Sequence, residues 1–126
     1  MNKTNKVFVY GTLKRGNSIR GLDSWGDAEF VGTAVTSLSH FRLHDLGAFP
    51  AVSKDGSDHI AGEVWTVDDD VLSTLDRIEG YPDFYDRMQV DTSQGRAWMY
   101  YIPDIENYRN TPIESDQNQI ASWRNQ

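Results

Sequence analysis

The chain has 126 residues, enough for one domain with a proper core and too few for a second of ordinary size. Its formal charge is −7, from 12 Lys and Arg against 19 Asp and Glu, a balance that repels a nucleic-acid backbone. Cysteine is absent, which excludes disulfides and a cysteine nucleophile and fits a reducing compartment.

Residues 1–6 are polar and lack the apolar stretch of a signal peptide, and no apolar run approaches the ~20 residues that span a bilayer. The expectation is a cytoplasmic protein with no membrane or nucleic-acid partner. Val7-Phe8-Val9-Tyr10 is a short run of β-branched and aromatic residues stopped by Gly11, the pattern of a buried strand. Residues 11–17 read as a loop, and residues 19–25 as either a short helix or irregular chain. Residues 30–36 and 38–43 are strand-like. Residues 47–52 form a bend into a short extended piece, because Pro50 pushes Phe49 away from helical dihedrals. Lys54-Asp55-Gly56-Ser57 reads as a turn and residues 60–67 as another strand.

The period then changes. Val71, Leu72, Leu75 and Ile78 form the stripe of an amphipathic helix, with Asp68, Asp69 and Asp70 at its start and Gly80 at its stop. Residues 84–92 and 95–102 look like a closing strand pair. Residues 104–126 are polar, a tail of the same domain with a short helix over 115–123. The strands are not interleaved with crossover helices. The pattern predicts an α+β domain over 1–103: a small, mostly antiparallel, barrel-like mixed sheet with one main helix packed on it.

Two readings compete for the loop after the first strand. Gly11, Gly16 and Ser18 have the spacing of a phosphate loop, but Asn17 stands where that loop needs a lysine. The other reading is a concave anion nest of backbone N–H groups at Tyr10-Gly11-Thr12-Leu13, where glycine allows both the turn and a close ligand. On the motif alone, a plain tight turn is the default.

Glu79 fits a bland reading less well. It closes the helix, where the macrodipole disfavours a carboxylate by roughly 0.3–1 kcal/mol. Around it stand Ile78, Tyr81, Pro82, Phe84 and Tyr85. Burial there raises a carboxyl pKa, the tuning a proton shuttle needs; the alternative is a solvated glutamate at a helix end. Other candidates rank lower. His40, His44 and His59 with Asp45 read as surface groups rather than a metal site. Asp68 to Asp70 are a helix start before they are a cation site. Glu63 pairs on paper with Glu79 as a two-carboxylate site, but its strand position reads as solvent-facing.

Val7-Phe8-Val9-Tyr10-Gly11-Thr12-Leu13-Lys14-Arg15-Gly16, Gly62-Glu63-Val64-Trp65-Thr66-Val67-Asp68, and Leu75-Asp76-Arg77-Ile78-Glu79-Gly80-Tyr81-Pro82-Asp83-Phe84-Tyr85-Asp86-Arg87 follow one another in this order, with Gly47-Ala48-Phe49-Pro50-Ala51-Val52 between the first two. Together they resemble the γ-glutamyl cyclotransferase-like family, in particular its γ-glutamylamine cyclotransferase and AIG2-like branch, over residues 6–103. The resemblance implies a small mixed barrel with a pocket between the first loop and the glutamate-bearing helix. It implies that Tyr10, Gly11, Thr12 and Leu13 cradle a γ-glutamyl group through backbone N–H groups, and that Glu79 is the general acid/base. Tyr85 resembles the family tyrosine that lines the pocket, a position a core aromatic also fits, and Arg87 reads as a structural ion pair. The implied reaction turns a small γ-glutamyl amine or peptide into 5-oxoproline and a free amine, with no metal, cofactor or protein nucleophile. Tyr-Gly-Thr-Leu differs from the Tyr-Gly-Ser-Asn of the branch acting on γ-glutamyl amino acids, which tilts the expectation toward amine leaving groups. Asn17-Ser18-Ile19-Arg20 matches the family poorly. The other class of function is a non-catalytic small-metabolite-binding domain on the same scaffold.

Overall fold

The computed structural model describes residues 4–14 and 27–123; the expectations for residues 15–26, the helix-or-irregular segment included, lie outside the described residues. The first strand, β1 (Thr4–Val9), runs through the middle of the sheet. β4 (Pro50–Asp68) pairs with it antiparallel and β6 (Gly95–Tyr101) pairs with it parallel. β5 (Asp86–Thr92) lies antiparallel beyond β6. The run at 7–10 is apolar at every position because both faces of β1 are covered. Phe8 and Tyr10 point into one core cluster with Leu43, Val64 and Met99. Val7 and Val9 point into a second cluster, with Leu13, Trp65 and Leu75.

β4 organises the rest. Its first residues pair with β3 (Phe41–Asp45), and its later ones carry β1 on one side and β2 (Ala28–Val35) on the other. The turn expected at residues 54–57 is instead an excursion within one strand. The β3–β4 register steps from Arg42 opposite Ser53 to Phe41 opposite Asp58, and the chain continues. Gly56 permits this because its backbone passes against Phe41 O, where a Cβ would collide. Gly62 is used similarly: a Cβ there would run into Val9 O and lie 2.9 Å from the Phe8 ring.

The sheet curls without closing. One bridge, Thr36 to Thr92, joins the end of β2 to the end of β5, supported by Ser37 N–H to Asp91 O at 2.8 Å. The expected α+β architecture is present, and "barrel-like" holds only in this loose sense.

Helix α1 (Asp69–Glu79) begins where its aspartates predict. The Asp68 carboxylate accepts from Val71 N–H at 2.8 Å. It ends on Gly80 in the left-handed region (φ 68°), where Gly80 N–H reaches Arg77 O and Tyr81 N–H reaches Asp76 O. Val71 and Leu75 are buried against the sheet. Ile78, the last member of the stripe, is 44% exposed.

The C-terminal segment is docked on the domain. After a 3-10 turn (Ile105–Asn107), β7 (Thr111–Pro112) pairs with β3 and β8 (Ile120–Ala121) pairs parallel with β4. The helix expected over 115–123 does not form. The Asp116 carboxylate takes the N–H groups of Asn118 and Ile120 at 2.8 and 3.0 Å, closing a turn that leads into β8. A short polar side chain here outcompetes the helical ladder.

The Gly62 contact gives a test of the sheet's packing. Gly62→Ala is expected to lower stability by about 1–3 kcal/mol, read as a shift in urea midpoint at unchanged slope.

Candidate active site

A cavity of about 140 Å³ opens where β1 ends and α1 ends. Tyr10, Gly11, Thr12 and Leu13 line one side, Glu79 and Ile78 another, and Phe49, Pro50, Phe84 and Tyr85 a third. The structure therefore brings Tyr10, Gly11, Thr12, Leu13, Glu79 and Tyr85 together around one hollow. The space is smaller than the roughly 300–1,000 Å³ that takes drug-sized ligands, and suits a group the size of one amino acid.

Residues 11–14 form a tight turn closed by Lys14 N–H to Gly11 O at 3.0 Å. Among the described residues no backbone acceptor takes the N–H of Gly11, Thr12 or Leu13. Gly11 is buried against Pro50, and a Cβ would lie 2.6 Å from the proline Cγ. The glycine is needed for close packing of the turn on residues 49–50.

The tyrosines contribute rings and backbone more than hydroxyls. Tyr10 OH donates to Tyr100 O at 2.8 Å and accepts from Val52 N–H at 3.2 Å, so it stitches β6 to β4. Burial holds its pKa well above the usual phenol value, with the nearby Tyr85 and Glu79 adding to the push. Tyr85 OH donates to Pro50 O at 2.7 Å, fixing the wall that faces Gly11. Tyr85 thus fills both roles open to it, a buried core aromatic and a residue lining the cavity.

Asp76 and Tyr100 are the site residues that sequence reasoning missed. Asp76 accepts from Arg87 Nε at 2.9 Å, from Arg87 Nη2 at 3.2 Å and from Tyr100 OH at 2.7 Å. The Arg87 guanidinium lies between the Trp98 and Tyr81 rings, 4.2 and 4.7 Å from their centroids. Burial and then the hydrogen-bonded Asp76 carboxylate raise the Tyr100 pKa, and Glu79 adds to the rise. Asp76 stands three residues before Glu79 on α1, a spacing that could have linked the two. Tyr100 carried no such signal.

Glu63 corrects its sequence reading. It is buried, 8% exposed, and accepts from Trp65 Nε1–H at 3.1 Å. It is not among the residues lining the cavity of Glu79, so the two carboxylates do not form a pair there. Lys14, just after the turn, donates to Trp123 O at 2.9 Å, tying the C-terminal segment to the loop; burial lowers its pKa, and the Glu63 charge partly restores it. The three histidines are dispersed. His40 lines a separate surface hollow, His59 Nδ1–H meets Thr36 O, and His44 is buried. Among the described residues no three His, Asp or Glu side chains are grouped to hold a metal ion, and no helix is long and apolar enough to cross a membrane.

His44 was expected at the surface, but its ring lies between Ser53 Oγ (2.8 Å from Nε2) and Asn110 Oδ1 (2.9 Å from Nδ1). The order Ser–His–Asn has the look of a hydrolase relay. Ser53 is itself only 7% exposed and lines neither hollow, so this is a structural tie of β3, β4 and the C-terminal segment.

Comparison with known proteins gives a consistent picture. The model of the family described as gamma-glutamyl cyclotransferase, AIG2-like, matches residues 7–125. The chain is 36% identical over 99 residues to the gamma-glutamylcyclotransferase family protein YtfP of Escherichia coli K12, covering 75% of this chain and 80% of that one. It is 36% identical over 115 residues to the corresponding protein of Citrobacter rodentium, covering 87% and 91%. Among solved structures, the AIG2-like protein from Mus musculus superposes with a TM-score of 0.65 at 25% identity, covering 97% of both chains.

His44 supplies a pH test of the framework. Burial lowers its pKa, so the unfolded chain binds its proton first as pH falls below about 6.5. The stability that neutral His44 contributes is whole above that value and is lost as pH falls through the window below it. His44→Gln is therefore expected to be less stable than the parent at pH 7.5, with the gap narrowing at pH 5 in urea unfolding. A constant gap removes His44 from the pH dependence.

Proposed function

The chain belongs to the gamma-glutamyl cyclotransferase, AIG2-like family, and we propose on that premise that it converts γ-glutamyl amines or γ-glutamyl peptides to 5-oxoproline and a free amine, with Glu79 as general acid/base. The observation that carries this reading is the shared cavity: a carboxylate at the end of α1 opposite a turn of backbone N–H groups. The turn amides suit the α-carboxylate or the developing oxyanion, and Glu79 suits the nitrogens.

In this reaction the substrate folds so that its α-amine faces its own γ-carbonyl. The ionised Glu79 takes a proton from the α-ammonium, and the amine nitrogen attacks the carbonyl carbon of the γ-amide. The carbonyl electrons move onto oxygen beside the turn. Glu79 then returns its proton to the departing nitrogen as the carbonyl re-forms and the old C–N bond breaks. The ring nitrogen sheds its second proton by way of Glu79 to the departing amine, so a neutral five-membered lactam and an ammonium leave, and Glu79 is again ionised. Folding the substrate in a small cavity supplies the orientation effect, and proton transfer by a positioned carboxylate is typically worth ~10²–10⁴-fold.

Incubation with a panel of γ-glutamyl amines and dipeptides is expected to release 5-oxoproline. Glu79→Gln should lose ~10²–10⁴ in kcat with an unchanged circular dichroism spectrum. A variant as active as the parent removes Glu79 from the mechanism, and no turnover across a broad panel moves the function to small-metabolite binding on the same scaffold. Gly11→Ala should cost about 10²-fold in kcat/KM, because the new Cβ pushes the turn off Pro50.

A further inference from the structure

A second hollow, of about 370 Å³, lies apart from the cavity of Glu79 and shares no lining residue with it. It marks the seam where the curled sheet stays open. β5 is an edge strand, and only its far end is bridged, through Thr92 to Thr36, with Asp91 O taking Ser37 N–H at 2.8 Å. Earlier along β5, Met88 and Val90 line the hollow together with Leu38, Phe41 and Lys54. Lys54 opens the excursion within β4, and Gly56 N–H to His40 O at 3.3 Å ties that excursion to the segment before β3. The fold builds this wall.

The lining divides by burial. Phe41 and Val90 are buried members of the core cluster against which Met88 packs, and they form an apolar floor. Leu38, 55% exposed, carries apolar surface outward. The charged lining residues are exposed: Lys54, and Arg96 with Asp91. Lys54 Nζ stands 5.1 Å from the centroid of the Tyr101 ring, a contact that leaves N–H donors for an oxygen acceptor. Arg96 donates from Nε to Gln89 Oε1 at 2.8 Å and from Nη1 to Asp91 Oδ1 at 3.1 Å, which leaves further guanidinium donors. Two cations against one carboxylate, with His40 neutral, leave the lining one positive charge in a chain whose formal charge is −7.

We propose that this hollow is a second ligand site, for a small monocarboxylate with an apolar aryl or alkyl body. The body lies on Phe41, Met88 and Val90, and the carboxylate meets Lys54 and Arg96. One negative charge balances the one positive charge of the lining. The volume is at the lower end of the roughly 300–1,000 Å³ of small-molecule pockets, which suits a ligand larger than one amino acid. Each methylene buried is worth roughly four-fold in affinity, whereas an exposed ion pair is worth about five-fold at most. The body therefore sets the strength and the charge sets the sign.

Titration of the intact, isotope-labelled protein with phenylbutyrate, octanoate, butyrate and phenylbutylamine, followed through amide chemical shifts, tests the site. Saturable shifts are expected at residues 38–41, 54 and 88–91. The longer acids should bind about ten-fold or more tightly than butyrate, and phenylbutyrate about three-fold or more tightly than phenylbutylamine. The tighter of the two longer acids tells an aryl body from an alkyl one. Leu38→Ser should weaken the longer acids about three-fold or more, and Lys54→Ala should narrow the acid-to-amine ratio about two-fold or more. Both side chains are exposed, so neither variant is expected to unfold. Undetectable binding of both longer acids at millimolar concentration, or shifts absent from those residues, overturns the site. An amine bound as tightly as the acid, or full affinity and an unchanged ratio in both variants, overturns it as well.

Discussion

The three hydrogen bonds converging on Asp76 hold the site together. Asp76 is on α1, Arg87 on β5 and Tyr100 on β6, so one carboxylate joins the helix to two strands. The apolar contacts of Val71 and Leu75 bring α1 onto the sheet, but apolar burial has little direction and does not fix where along the sheet the helix stops. A two-point Arg–carboxylate contact does. The ion-paired side chains retain 15% and 20% of their exposure, so desolvation offsets much of the attraction and the net stability gained is small. What the contact fixes is position. Glu79 follows one turn later on the same helix and takes its place from it.

The same connections pass through the cavity. Tyr100 gives its hydroxyl to Asp76 and its carbonyl to Tyr10, whose hydroxyl in turn accepts from Val52. Four elements are thereby tied around a small apolar space. Burial and neighbouring carboxylates both push the Tyr10 and Tyr100 hydroxyls toward keeping their protons. Both phenols are thereby held in the protonated form near neutral pH, and the proposed reaction gives proton transfer to Glu79.

Much of this was legible in the sequence because it depends on local pattern. An unbroken apolar strand means two covered faces, and Asp68 and Gly80 are caps whose geometry follows from side-chain reach and a left-handed dihedral. The juxtaposition of Gly11 to Leu13 with Glu79 came through family resemblance rather than through periodicity. What was illegible depends on tertiary partners. Residues 54–57 have turn composition, yet pairing with β3 on one side of them and with β1 and β2 beyond keeps the strand running. Glu63 and His44 are polar residues that the fold buries with partners, Trp65 for one and Ser53 with Asn110 for the other, and no local signal names those partners. Residues 115–123 have enough apolar anchors for a helix, but Asp116 captures the amides first.

A carboxylate in a small, largely apolar cavity also has a thermodynamic consequence for the proposed reaction. An ammonium is drawn toward an ionised Glu79, which favours binding of the α-amine next to it. Once water is excluded, two opposite charges side by side lose hydration, while the amine and the carboxylic acid that result from proton transfer lose much less. In the proposed reaction the neutral amine is the nucleophile. The acid so formed stands beside the nitrogen that must leave. In the proposed reaction, binding, activation of the nucleophile and protonation of the leaving group all fall to Glu79, so its placement on α1 by the Asp76 contacts bears on each of those steps.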